Sequence, residues 1–249
     1  LVFACSAACL DRFANFKRQY GLIDFADQET LVLDLLENNP QSGRAVAVTR
    51  DLSESQLLKV DNGENVHDPH VWFDVKLWGR CVERIRDELC RIDPDHAEDY
   101  RSRAQLYLDE LEALDLELRT AITSLPKSRR ILVTSHDAFH YFGRAYGFKV
   151  RGLQGVSTAA AAGTRDIEEL ATFLGDNRIP AVFCETSVLS KGLEKVLETV
   201  QSRYGFTVRL MESENALYSD SLGEKGSPGE TYIGMMRHNV TVIVKALHP

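Results

Sequence analysis

Apolar residues recur every three or four positions in residues 75–92, which is the period of an amphipathic helix. Asp74 directly precedes this run and is a good N-cap, because its side chain can accept N–H groups of the first turn. Residues 95–125 contain neither Gly nor Pro and carry a Leu-rich stripe. One helix over about residues 94–125 would be about 45 Å long. This stretch is therefore either a helical hairpin or coiled coil, or a single helix that ties two domains together.

After Pro126, short apolar runs alternate with amphipathic segments. Strands alternating with helices of 10–15 residues favour a parallel sheet with helices on both faces. Before the long helix, residues 1–5 and 45–48 also have the pattern of buried strands, and residues 29–37 that of a helix. The later predicted strands are 131–134, 148–152, 181–184 and 207–211, and the later helices are 138–146, 165–174, 193–203 and 231–247.

The composition is that of an ordinary globular protein, with 44% hydrophobic and 27% charged residues and a net charge of −8. These values exclude intrinsic disorder and collagen-like structure. Nucleic-acid-binding proteins usually carry a basic face, so no nucleic-acid partner is expected. No apolar run approaches the roughly 18 residues that span a bilayer. The chain opens on an apolar run at Leu1 without the charged lead of a complete signal peptide, so we expect a fragment whose start is missing.

Polar residues near the strand ends are the candidates for chemistry, because parallel sheets place their sites at the carboxyl ends of strands. His70 follows an Asp-Pro pair, in which the proline stiffens the loop and Asp68 can orient the imidazole. His136 comes directly after the strand at residues 131–134. Asp220 lies in a loop rich in Ser and Gly after the last predicted strand.

Simpler interpretations of these residues are a surface His in a turn, a His at a helix start, and an Asp that stabilises a turn. Two imidazoles and one carboxylate are nevertheless ligands that zinc and manganese both take. The spacing matches neither a zinc finger nor an HExxH helix, so spacing alone proves no site. Glu185 also ends a predicted strand, and we expect it mainly to hydrogen-bond loop backbone, with direct metal ligation as the alternative.

Four segments, taken together, resemble the TroA- and ZnuA-type metal-binding lipoproteins, the zinc or manganese solute-binding subunits of bacterial ABC importers. The resemblance covers residues 46–247, about four-fifths of the chain. It implies an α/β fold of two lobes, each a parallel sheet flanked by helices, joined by one long helix. The implied boundaries are an incomplete N-terminal lobe at 1–93, a linking helix at 94–125 and a C-terminal lobe at 126–249. The segments are Asp68-Pro69-His70-Val71-Trp72-Phe73-Asp74-Val75, Thr134-Ser135-His136-Asp137-Ala138-Phe139, Gly152-Leu153-Gln154-Gly155-Val156-Ser157-Thr158 and Tyr218-Ser219-Asp220-Ser221-Leu222-Gly223.

By this resemblance, His70, His136 and Asp220 match three metal-ligand positions of the family, in a cleft between the lobes. The implied protein is a receptor and not an enzyme. It binds Zn²⁺ or Mn²⁺ as the transported ligand and hands the metal to a membrane ABC permease. The resemblance further implies a monomer in the periplasm or outside the cell, free or lipid-anchored, with ion transport and cell adhesion as associated roles.

The sequence departs from the family pattern in three places. A further family His, in an early Asp-Pro-His motif, would fall before Leu1, so we expect three protein ligands and weaker, faster-exchanging metal binding than in a full-length relative. Residues 159–162 are all Ala where the family is more polar. The short acidic loop at residues 60–67 lacks the His-rich stretch of many zinc-specific members, which favours the TroA-like branch.

Two alternatives to the receptor stay open at this point. One is a zinc-dependent hydrolase, in which three protein ligands leave a coordination position for water. No general base or nucleophile next to a base is identifiable for such an enzyme, and the resemblance opposes it. The other is a truncated homologue that binds metal weakly.

Overall fold

A computed structural model describes residues 46–60, 66–156, 162–188 and 191–248. The chain divides into two units, Leu1–Arg50 and Asp51–Pro249, and every element named below lies in the second.

The described part of the first unit is a turn. The Arg50 N–H donates to the Ala47 carbonyl at 3.1 Å, and residues 48–50 turn the chain. The strand predicted at 45–48 is therefore wrong over residues 46–48, because an apolar run this short is also compatible with a turn. The strand predicted at 1–5 and the helix predicted at 29–37 lie outside the described residues.

The second unit alternates strands and helices much as the periodicity predicts. No helix in the described ranges is both long and apolar enough to cross a membrane. The helices are α1 (Val75–Ile92), α2 (Ala97–Thr123), α3 (His140–Tyr146), α4 (Thr164–Asn177), α5 (Lys191–Tyr204) and α6 (Tyr232–Leu247), and the strands are β1 (Ile131–His136), β2 (Lys149–Gln154), β3 (Ala181–Phe183) and β4 (Arg209–Met211).

The four described strands form one parallel sheet in the order β2-β1-β3-β4. Thr134 of β1 pairs with both Gly152 of β2 and Phe183 of β3, and Phe183 pairs with Met211 of β4. The carboxyl ends of β1, β3 and β4 therefore lie along one edge. The α/β fold class is confirmed, and this edge is where the loops that carry the candidate ligands begin.

The helices α4 and α5 cover one face of the sheet and pack their apolar side chains against the strands. Removing these side chains from water supplies the main driving force for packing the two helices on the strands. The buried cluster on this face consists of Val133, Leu153, Leu170, Ala171, Leu174, Ile179, Val182, Cys184, Leu193, Val196, Val200 and Val208.

The long helix predicted at about 94–125 is present as one α-helix, α2, preceded by a short 3₁₀ turn at Pro94–His96. At 27 residues α2 is about 40 Å long. It packs against α1 and α6. The turn at Pro94–His96 is not α-helical, because the His96 N–H donates to the carbonyl of Asp93, three residues earlier, and not four. The lobe boundaries implied at residues 93 and 125 stay predictions.

A polar contact fixes α2 to α3. Asp115 of α2 is buried. It accepts one hydrogen bond from Arg119 Nε at 2.9 Å and another from the Tyr146 hydroxyl at 3.1 Å. Arg119 also donates to the Ala145 carbonyl at 2.8 Å. Pairing keeps the buried carboxylate satisfied, and it sets the rotation of α2 relative to α3.

Two leucines of α2 test which side of this helix carries the packing. Leu114 is 0% exposed, whereas Leu116 is 69% exposed. We expect Leu114→Ala to lower the free energy of unfolding by about 3 kcal/mol, since a buried Leu→Ala change leaves a cavity. Leu116→Ala, the matched control, should change it by less than about 0.5 kcal/mol. Urea denaturation of both variants measures the difference, and equal effects would contradict this packing.

Candidate metal site

The first candidate ligand, His70, is held by its own loop. Its backbone N–H donates to Asp68 Oδ1 at 2.9 Å, and its ring Nδ1 lies 2.7 Å from the same oxygen. Both residues are buried, each 3% exposed. Because Nδ1 faces the carboxylate, Nε2 is the nitrogen left to bind a ligand. Asp68 therefore occupies the orienting position that the Asp-Pro-His motif suggests.

The second candidate ligand, His136, is the last residue of β1, and a residue from the neighbouring strand end fixes its ring. Glu185 follows β3, and its Oε1 accepts the His136 backbone N–H at 2.9 Å. Its Oε2 lies 2.6 Å from His136 Nδ1, and both side chains are 0% exposed. The backbone hydrogen bond is the main role expected for Glu185. The contact with the ring adds a second role, because it leaves His136 Nε2 facing the cluster.

The third candidate ligand, Asp220, is placed by a loop that continues along the sheet edge. The Leu217 N–H donates to the Cys184 carbonyl at 2.9 Å, and the Thr186 N–H donates to the Leu217 carbonyl at 2.9 Å. The buried Asn239 of α6 bonds both backbone groups of Tyr218, at 3.0 and 2.8 Å. These bonds bring the loop back to the ends of β1 and β3, where Asp220 meets the two imidazoles.

The structure brings the three predicted ligands together. His70 Nε2 lies 3.4 Å from Asp220 Oδ1, and His136 Nε2 lies 3.4 Å from Asp220 Oδ2. The two imidazole centroids are 5.4 Å apart, with ring planes at 67°. One ligand atom from each residue lies within 4.8 Å of the other two. The imidazoles are buried and the Asp220 side chain is 38% exposed, so the cluster opens to solvent on the carboxylate side.

Without a metal, the carboxylates around the cluster raise the pKa of both imidazoles. Burial alone would lower the pKa of His136, but contacts with Asp220 and Glu185 outweigh burial and raise that pKa to about 10. The pKa of His70 is raised in the same way, by Asp220 and Asp68 acting against burial. Burial raises the pKa of Asp220, but the two imidazoles outweigh it and hold this pKa well below its usual range. A cation is therefore favoured between these groups.

Two residues that tie the ligand loops together were not predicted from the sequence. Trp72 Nε1 donates to the Ser219 carbonyl at 3.1 Å, which links the His70 loop to the Asp220 loop. The Tyr232 hydroxyl donates to the Trp72 carbonyl at 2.7 Å. Trp72 belongs to a motif that the sequence singles out, but no local pattern indicates a partner so distant in the chain.

Two other histidines have polar partners that the sequence does not indicate. The His140 side chain is 38% exposed and lies between Asp68 and Asp137. His238 is half-buried, with Nε2 2.9 Å from the Ala216 carbonyl. Asp68 and Ala216 are far from these histidines in the chain, so no local pattern reveals them as partners.

Comparison with known proteins finds relatives that match most of the chain. Residues 25–246 match the family described as ZnuA, zinc-uptake complex component A, periplasmic. The zinc-binding protein TroA of Treponema pallidum is 42% identical over 88% of this chain and 69% of its own length. The manganese-binding lipoprotein MntA of Bacillus subtilis is 41% identical over 86% of this chain and 68% of its own.

More distant relatives and solved structures agree. The iron-binding protein YfeA of Yersinia pestis is 34% identical. That match covers 72% of this chain and 55% of YfeA. The solved structure of the periplasmic zinc-binding protein TroA from Treponema pallidum superposes with a TM-score of 0.77 at 44% identity. That superposition covers 82% of this chain and 72% of TroA.

The chain therefore belongs to the ZnuA family of periplasmic metal-binding proteins. The family consists of solute-binding receptors of ABC importers, so the protein is a binding protein and not an enzyme. The hydrolase alternative is thereby set aside.

The metal-free protein should lose stability on the alkaline side. The pKa of His136 is about 10 in the folded protein, against about 6.5 for an unperturbed imidazole. A raised pKa stabilises the protonated folded state, so its contribution is complete below about pH 6.5 and is lost as the pH rises towards about 10. We expect the urea midpoint of chelator-treated protein to fall over this range.

The control for this prediction is Glu185→Gln, which replaces one carboxylate partner of His136 by a neutral amide. Its midpoint should fall less steeply with pH than that of the wild type, since less of the pKa shift remains. Parallel pH profiles for the two proteins would contradict the role given to the Glu185 carboxylate.

Proposed function

We propose that the protein binds a divalent transition metal, zinc or manganese, through His70, His136 and Asp220, and delivers it to a membrane ABC permease. The metal is the transported cargo. The observation that carries this proposal is the convergence of three ligand atoms from three separate loops. Two of these atoms belong to imidazoles whose other nitrogen faces a buried carboxylate, the arrangement that orients histidine for metal binding in proteins.

The distances in the cluster fit a metal. Ligands at about 2.1 Å from a tetrahedral zinc are about 3.4 Å apart along each edge of the tetrahedron. Both imidazole-to-carboxylate distances in the cluster are 3.4 Å. These two distances end at different oxygens of Asp220, and the three ligand atoms lie within 4.8 Å of one another, so a bound ion would draw the side chains closer together.

An unsatisfied buried atom also supports a missing ligand. Within the described part of the chain, His136 Nε2 is buried and makes no hydrogen bond, although Asp220 Oδ2 lies 3.4 Å away. Buried polar atoms in proteins are almost always satisfied, by protein, water or an ion. A metal bound to His136 Nε2 would satisfy this nitrogen directly.

The ligand set suits a cargo that must be released. Beside the three ligands that the described residues supply, an ion has a further coordination position for water or another group. Asp220, the ligand with 38% of its side chain exposed, is the one through which solvent reaches the ion. The two buried imidazoles bind the metal firmly. The more exposed Asp220 carboxylate leaves a route by which the metal can be released.

The ligand chemistry ranks the candidate metals. The relatives described above are named for zinc, manganese and iron, so their names do not fix one metal. For a site of two nitrogens and one carboxylate, affinity rises from Mn²⁺ through Fe²⁺ to Zn²⁺. We therefore expect zinc to bind more tightly than manganese, and the supply of metal in the cell to decide which one is carried.

Membership of the family supports a proposal for the partner and the location. As a receptor of this family, the protein is proposed to work as a monomer in the periplasm or at the outer surface, beside the permease that receives the metal. Cell adhesion and the absence of a nucleic-acid partner stay predictions from the sequence.

Replacing a ligand tests the metal site. Asp220→Asn and His136→Ala should each weaken zinc binding by more than about 100-fold, since a lost ligand costs more than the roughly 10–100-fold loss of a partner that only orients one. Competition against a chelator of known affinity measures the dissociation constants. Asp93→Asn and His96→Ala are matched controls, because these two residues pair with each other at 3.0 Å on an exposed surface. Equal binding by all five proteins would contradict the site.

Delivery to a permease is tested in cells. A strain that lacks the gene should take up radioactive zinc or manganese more slowly than its parent, and the wild-type gene should restore uptake. The gene encoding Asp220→Asn should not restore it, because the receptor then arrives without cargo. Full uptake with Asp220→Asn would contradict delivery from this site, even if the purified protein binds metal.

A further inference from the structure

His140 sits at the start of α3, behind the candidate metal site, with its ring between two carboxylates. Its Nδ1 lies 3.6 Å from Asp68 Oδ2, and its Nε2 lies 3.7 Å from Asp137 Oδ1. The ring is 38% exposed, whereas the Asp68 side chain is 2% exposed. His140 thus lies on the Oδ2 side of the buried Asp68 carboxylate.

Asp68 depends on this neighbour because its two oxygens are used unequally. Oδ1 takes both contacts of His70, from the backbone N–H at 2.9 Å and from the ring at 2.7 Å. Oδ2 is buried and makes no hydrogen bond of acceptable geometry within the residues described. A buried carboxylate oxygen without a partner is costly, and the His140 ring, 3.6 Å away, is the polar group placed to compensate it.

The other side of His140 is anchored to the sheet. The Gly152 N–H of β2 donates to Asp137 Oδ1, the oxygen that faces His140 Nε2. A side chain at Gly152 would collide with Asp137, since a Cβ there would lie 2.6 Å from Asp137 Oδ1. In addition, the Tyr141 hydroxyl donates to the Asp68 carbonyl at 3.1 Å. The first turn of α3 therefore connects the rigid sheet to Asp68.

We propose that His140 is a positioning residue for metal binding, which holds Asp68 Oδ2 and thereby fixes the ring of His70 towards the metal. This inference rests on the proposed function, because it concerns how that same site is kept in order. Among the described residues, no hydrogen bond or ion pair joins His140 to His70, His136 or Asp220, so we place its effect on Asp68.

Removing His140 should loosen the orientation of His70. The Asp68 carboxylate could then rotate and turn Oδ2 towards solvent. Its Oδ1 would no longer be held against the backbone N–H and the ring Nδ1 of His70. Changing a partner that orients a metal ligand typically lowers metal affinity by roughly 10–100-fold. Since His140 acts one step further from the ion, we expect His140→Ala to weaken zinc binding about tenfold, at the lower end of that range.

The test measures affinity and ligand geometry in the full chain. Zinc dissociation constants are determined by chelator competition for wild type, His140→Ala, His140→Gln and the control His96→Ala. Visible absorption of bound cobalt(II), a spectroscopic substitute for zinc, reports the geometry of the ligands. Circular dichroism and urea denaturation of the metal-free proteins show whether each variant is folded.

We expect weaker zinc binding and an altered cobalt spectrum for His140→Ala, partial recovery for His140→Gln, which keeps an N–H donor, and no change for His96→Ala. Wild-type affinity in folded His140→Ala would overturn the inference, as would weaker binding with an unchanged cobalt spectrum. Both of those outcomes leave the proposed function standing, because the wild type still binds zinc. A wild type that binds no zinc would overturn the proposed function and this inference together.

Discussion

Two buried carboxylates fix the two imidazoles of the site, and the rest of its geometry depends on that constraint. Asp68 holds His70 and Glu185 holds His136, each through Nδ1, so that both Nε2 atoms face the same point. A buried charge costs several kcal/mol unless it is paired, so neither carboxylate can leave its imidazole without a large penalty. Burial, which by itself opposes ionisation, thereby keeps the pairs together and makes the imidazole half of the site rigid before any metal arrives.

The parallel sheet explains why these pairs form where they do. His136 ends β1 and Glu185 follows β3, and these strands are neighbours in the sheet, so the two side chains leave the same edge. The Asp220 loop continues from that edge and is tied back to the His70 loop through Trp72. Asp220 is the most exposed ligand, so the site combines a fixed imidazole pair with an accessible carboxylate. That division of roles is appropriate for a receptor, which must bind its cargo and also release it.

Much of the fold was predictable because local signals specify it. The bounds of α1 follow from its apolar period and from the Asp74 cap, which accepts the Lys76 and Leu77 N–H groups as expected. Gly147 ends α3 in the left-handed conformation that glycine favours. The prediction failed at residues 46–48, where an apolar run is too short to distinguish a strand from a turn. It was also incomplete at residues 94–96, where the chain forms a 3₁₀ turn before α2 begins.

By itself, the sequence determined the alternation of strands and helices, the long helix, and the three residues whose side chains the fold brings together. Local periodicity predicts the helices and strands, because it depends on residues close to one another in the chain. The three candidate ligands came from short motifs at strand ends together with their resemblance to a known family, since spacing alone identified no site. Only the tertiary structure decided that Glu185 orients His136, that Trp72 joins two loops, and that His140 supports Asp68. Each of these contacts joins residues at least 49 positions apart. Their pairing is set by which strands and loops become neighbours in the fold, and no periodicity in the sequence records it.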